Sequence, residues 1–131
     1  EVAFFHPTIV IMGGEPMLNK DWLKTIQIAH EKNIPCSMIT NGMFIEKNAE
    51  EIVECGLEDL NLSVDGPEPV HDMIRKSPGG FKKIMAGIDA VNQVKAQTGN
   101  ANPRINIFFT NTKTNIIFII SPDEFIILYF P

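Results

Sequence analysis

Two cysteines in 131 residues are too few for a disulfide scaffold, and no C-x-x-C pair or Cys/His cluster surrounds them to hold a metal. Cys36 opens a predicted strand and Cys55 closes a predicted helix just before Gly56, so both read as small apolar core residues. Basic side chains are also scarce: 11 Lys and Arg stand against 16 Asp and Glu, a net charge of −5. No basic tract offsets that balance, so the composition argues against nucleic acid and anionic membranes as partners. Apolar runs fall short of the ~18 residues that a bilayer span needs. Residues 1–12 lack the basic flank and small-residue cleavage site of a secretory signal, and a cytoplasmic protein is expected.

What is present is globular. A hydrophobic fraction of 44% with 21% charged residues fits one domain, or part of one, able to bury roughly two thirds of its unfolded surface. The pattern alternates strand and helix. Thr8 to Met12 reads as a buried strand, and Asn19 as the cap of a helix from about Lys20 to Lys32 with Trp22, Ile26 and Ala29 on one stripe. Cys36 to Thr40 is a short strand closed by the turn pair Asn41-Gly42, followed by a helix from Glu46 to Cys55. Leu60 to Asp65 alternates strictly, placing Leu60, Leu62 and Val64 on one face and Asn61, Ser63 and Asp65 on the other. One or two helical turns are expected over Pro69 to Arg75. A long helix follows from Gly80 to Thr98, striped by Phe81, Ile84, Met85, Ile88, Val91 and Val94, and Arg104 to Phe109 forms a fourth strand.

Strands separated by helices make serial βαβ units and a parallel sheet. Chain direction then carries Gly13 to Pro16, Thr40 to Gly42 and Ser63 to Gly66 to one edge, where parallel α/β proteins place ligands. Gly13 and Gly14 let the backbone approach a small molecule, Glu15 supplies a carboxylate, and Pro16 fixes the exit direction. Residues 111–131 differ: from Asn115 onward there is no Lys or Arg, and two apolar runs are split by Ser121-Pro122-Asp123-Glu124. They read either as two further strands or as an apolar tail unrelated to the fold, which divides the chain at about residue 110.

Four motifs in order resemble the middle of a radical S-adenosylmethionine (SAM) enzyme: Ile-Met-Gly-Gly-Glu-Pro-Met-Leu at 11–18, Ile-Thr-Asn-Gly at 39–42, Leu-Ser-Val-Asp-Gly-Pro at 62–67, and His71-Asp-Met-Ile-Arg75. The likeness covers about residues 8–110 and is nearest to the branch that modifies peptides and proteins, including sulfatase-maturating enzymes and quinone-cofactor maturases. It implies a partial (β/α) barrel with about four parallel strands in this chain. It also implies a 4Fe–4S cluster held by a C-x3-C-x2-C loop, and reductive cleavage of SAM to a 5′-deoxyadenosyl radical that abstracts hydrogen from substrate. This chain has no such loop, so the ligands are expected upstream of Glu1 and the chain alone is expected to be inactive. The partners implied are SAM, a peptide or protein substrate and a reductant protein.

Carried over residue by residue, the resemblance sets the SAM amino group against Gly13, Gly14 and Glu15, whose oxygens supply acceptors for an ammonium. Ser63 would hydrogen-bond SAM from inside the barrel. Arg75 would pair with the SAM carboxylate, a bidentate task suited to a planar fork. Asp65 and Asn41 lie at the same rim as candidates for ribose or turn contacts. Readings without a ligand stand beside these: Arg75 as a solvated arginine, Ser63 satisfying a backbone group, Asp65-Gly66 and Asn41-Gly42 as turn chemistry. His71 shares a helical face with Arg75 and has no metal partner nearby. Gly79-Gly80 lacks both the P-loop lysine and dinucleotide spacing, so it reads as a flexible helix start. Two other functions remain open: a cluster-free SAM or nucleotide-binding module, and a barrel enzyme using Glu15 and Asp65 as acid and base.

Overall fold

The computed structural model describes residues 7–110. The two readings of residues 111–131 lie outside the described residues. Strands β1 (Ile9–Ile11), β2 (Cys36–Thr40), β3 (Asp59–Ser63) and β4 (Arg104–Phe108) form one sheet in the order β1-β2-β3-β4, every pair parallel. Between them run α1 (Trp22–Glu31), α2 (Ala49–Glu54), α3 (Glu68–Arg75) and α4 (Gly80–Thr98), with single 3-10 turns at Pro16–Leu18 and Glu46–Asn48. Each parallel step needs a crossover, and the helical stripes supply one that covers the sheet. This is the α/β arrangement expected from the alternation, consistent with a partial barrel of the radical SAM type.

The core lies between the sheet and its helices. Ile26 of α1, Met38 of β2, Leu60 and Leu62 of β3, Ile52 and Val53 of α2, and Ile84 and Val91 of α4 are all buried. Each such side chain contributes about 1.5–3 kcal/mol through removal from water. Helix α4 closes in tightly at Gly87, where a Cβ would overlap Ile45 Cγ1 and stand 3.1 Å from the Glu46 nitrogen. A glycine there is a packing requirement.

The opposite face of β3 and β4 is polar. Asp59 accepts from Arg104 Nε at 2.8 Å and Nη2 at 2.9 Å, and from Asn106 Nδ2 at 3.3 Å. Asn106 Nδ2 also reaches Asn61 Oδ1 at 3.0 Å, and Asn61 Nδ2 donates to the Met38 carbonyl at 3.3 Å. The buried Asn61 side chain is thereby satisfied across three strands.

Several local expectations shift. Helix α1 starts at Trp22, because Asn19 Oδ1 accepts from the Asp21 N–H and forms a turn ahead of the helix instead of capping it. The expected helix over Glu46 to Cys55 begins as a 3-10 turn and becomes α-helical only at Ala49, with Ala49, Ile52 and Val53 buried. Met85 is 41% exposed, because the buried stripe of α4 runs through Ile84, Gly87 and Val91. Strand β1 stands at the sheet edge, which leaves Val10 49% exposed instead of buried.

Candidate functional site

Three strand ends meet at one edge, and hydrogen bonds tie them in two groups. In the first group, β1 opens into Gly13 and Gly14, both at positive φ (96° and 53°), where no atom lies within 4 Å of a notional Cβ. Their left-handed backbone favours glycine, and the space before them is open to a ligand. The turn aims Glu15 back at β2. Its Oε1 accepts from Thr40 Oγ1 at 2.7 Å and from the Met17 N–H at 3.2 Å, and its Oε2 accepts from the Asn41 N–H at 2.9 Å. A carboxylate offers about four acceptor sites, so three bonds leave it acceptor capacity. Thr40, only 2% exposed, passes the contact on by accepting from the Gly42 N–H at 3.1 Å.

In the second group, β3 ends at Ser63, and Asp65 follows it, buried to 2% exposure. A buried carboxylate is costly unless paired. Here its Oδ2 accepts from Arg75 Nε at 2.5 Å and its Oδ1 from the Thr110 N–H at 3.1 Å. The Asp65 N–H donates to His71 Nδ1 at 3.2 Å, so His71 is an acceptor at that nitrogen. Burial lowers the His71 pKa from 6.5; nearby Asp65 and Asp72 act in the opposite sense. The ring meets Phe81 edge-on at 6.1 Å.

Asp72 closes the joint between α3 and α4, its carboxylate accepting from the Gly79 N–H at 2.6 Å and the Phe81 N–H at 2.9 Å. Those two bonds hold its pKa below the ordinary carboxylate value. The Gly79-Gly80 helix start is therefore pinned by a carboxylate from its own chain, where a flexible start was expected.

The arrangement brings Glu15 and Asn41 into direct contact, and likewise Asp65 and Arg75, while Ser63 ends β3, the strand beside β2. The sequence placed Thr40 at the shared edge and His71 on the helical face of Arg75 without giving either a role, and it did not single out Asp72. The signals were present: a hydroxyl ending a buried strand, a histidine four residues before Arg75, and an aspartate on the helix preceding a Gly-Gly start.

Metal ligation is another matter. Among the described residues no group of three His, Cys, Asp or Glu is placed to hold an ion. Cys36 and Cys55 are buried free thiols, and burial, then Cys55 and Glu58, push Cys36 up to about 11. That thiol is unsuited to metal binding as it stands. The described residues therefore do not fit an iron–sulfur cluster.

These features define a parallel α/β protein with a polar rim at its strand ends. The profile of the radical SAM superfamily matches residues 2–102, and the chain belongs to that superfamily. SAM and a 4Fe–4S cluster are the cofactors that this family implies. Among curated relatives, the AdoMet-dependent heme synthase of Oleidesulfovibrio alaskensis is 36% identical over 90 residues, covering 67% of this chain and 23% of that protein. The Fe-coproporphyrin III synthase of Methanosarcina barkeri is 29% identical over 115 residues, 87% of this chain and 27% of that protein. A GTP 3′,8-cyclase of Rhizobium leguminosarum is 34% identical over 91 residues, 65% of this chain and 26% of that protein. The chain thus matches about a quarter of the length of these relatives.

Proposed function

We propose that this chain forms the SAM-binding rim of a radical SAM enzyme. The observation that carries the reading is the placement of opposite charges at one edge of the parallel sheet: the Glu15 carboxylate follows β1 and is held at the end of β2, and the Arg75 guanidinium is anchored just beyond the next strand, β3. The amino-acid end of SAM carries the complementary pair, an ammonium and a carboxylate. Glu15, with the carbonyls of Gly13 and Gly14, takes the ammonium, and Arg75 takes the carboxylate. Ser63 donates from the end of β3. Asn41 and Asp65 shape the rim through their contacts with Glu15 and Arg75. When bound, the 4Fe–4S cluster supplies the electron for reductive SAM cleavage, and it draws its ligands from outside residues 7–110.

The acid–base reading of Glu15 and Asp65 is less well supported, since both carboxylates accept hydrogen bonds that anchor this chain's own backbone. For the substrate we favour a peptide or protein, on the likeness of the motifs to the peptide-modifying branch. A small molecule is the second reading, favoured by relatives named for heme synthesis and GTP cyclisation. A cytoplasmic location and a reductant protein complete the proposal; among the described residues no helix is long and apolar enough to cross a membrane.

Anaerobic reconstitution of the full-length protein with iron and sulfide, followed by reductant and SAM, tests the reading. Release of 5′-deoxyadenosine is expected. An iron-loaded protein that leaves SAM intact overturns the enzyme assignment.

A further inference from the structure

We propose that Asp65 is the positioning residue of the carboxylate end of the SAM site: it holds α3 at two points and commits one edge of the Arg75 guanidinium, so that the remaining edge meets the ligand. The inference rests on the reading of Arg75 as partner of the SAM carboxylate and adds a residue that acts through it.

Asp65 engages α3 twice. Its N–H donates to His71 Nδ1 at 3.2 Å, and its carboxylate accepts from Arg75 Nε at 2.5 Å. His71 and Arg75 are four residues apart and share one helical face, so both contacts fall on the same side of α3. The Asp65 carboxylate is itself held by the Thr110 N–H at 3.1 Å, just beyond β4. Asp72 locks the next joint by holding the first turn of α4, and His71, 2% exposed, is braced against Phe81. Helix α3 is thus fixed to the strand exit on one side and to α4 on the other.

A guanidinium carries five N–H donors in one plane. Nε is spent on Asp65, while the Nη groups have no hydrogen-bond partner among the described residues and the side chain is 35% exposed. A loose surface arginine gives up rotamer freedom when it binds; this one has given it up on folding. Lysine cannot take its place, because one ammonium on a flexible stem has no second rigid edge to share between two carboxylates.

The test measures equilibrium binding of SAM and of decarboxylated SAM to the anaerobically reconstituted full-length protein and its variants. The ratio of the two affinities isolates recognition of the carboxylate from general damage. Arg75→Ala should reduce the preference for SAM by about 10- to 100-fold, the scale of a charged hydrogen bond. Asp65→Asn should reduce it by about tenfold, and the double variant should lose no more than Arg75→Ala alone, since both act through one contact. Arg75→Lys should resemble Arg75→Ala. If Arg75→Ala leaves the ratio unchanged, the SAM reading of Arg75 fails. If Arg75→Ala lowers it while Asp65→Asn does not, the positioning role of Asp65 fails and the SAM reading stands. Should Asp65→Asn not fold, Arg75→Lys decides: retention of most of the preference means that Arg75 acts as a bare charge, which overturns the proposal.

Discussion

Replacing Thr40 with valine is the perturbation on which intuition and geometry disagree most. Valine is nearly isosteric, is a better strand former, and adds a methyl to a site only 2% exposed, so propensity alone argues for a gain of up to ~1 kcal/mol. The hydroxyl, however, stands between two partners, donating to Glu15 Oε1 at 2.7 Å and accepting from the Gly42 N–H at 3.1 Å. The first bond ends on a carboxylate and is worth about 1.5–3 kcal/mol, and stranding the buried N–H costs a further ~1–3 kcal/mol. Glu15 is only half-buried, so solvent replaces part of the first term and the lower end of each range applies. Subtracting the gain leaves a destabilisation of about 2 kcal/mol. Urea unfolding of the full-length protein, followed by far-ultraviolet circular dichroism, measures it. Thr40→Ser keeps the hydroxyl and loses only a methyl, so it should cost about 1 kcal/mol. SAM affinity should fall with valine and hold with serine, because Glu15 loses the donor that aims it. A valine variant as stable as the parent, or more so, would refute the reasoning.

Gly87→Ala should destabilise by about 1–2 kcal/mol in the same unfolding experiment despite the better helix propensity of alanine, because the new Cβ overlaps Ile45; a neutral or stabilising result removes Gly87 as a packing requirement. Stability should also decline as pH falls below about 6.5. The folded His71 pKa lies below that ordinary value, so the unfolded chain takes up the proton first: the contribution is complete above 6.5 and is lost as pH drops towards the folded pKa. His71→Gln should flatten that part of the profile, and an unchanged profile contradicts the assignment.

The fold was legible because each strand and helix carries its own start, stop and period. Ile52 and Val53 on α2, and Leu60 and Leu62 on β3, are buried on the faces that periodicity predicts. The shared edge followed from chain direction. Less legible were features decided between elements. Nothing local to Met85 says that α4 turns Gly87 towards Ile45 instead, or that Asn19 spends its side chain on Asp21. At the site, Glu15 and Arg75 stood out through motifs, but Thr40, His71 and Asp72 act through partners 25, 6 and 7 residues away. Such pairings become visible only once the chain is folded.

Hydrophobic alternation along β3 and β4 leaves one ambiguity: sliding one strand by two residues keeps every side chain on its proper side. The salt bridge and carboxamide contacts joining Asp59 to Arg104 and Asn61 to Asn106 remove it, since such a slide would mismatch both pairs at once. These four residues act as a vernier that counts positions upward from the base of the sheet. The alignment they fix brings Thr110 level with Asp65, so a polar scale at one end calibrates the grip at the other.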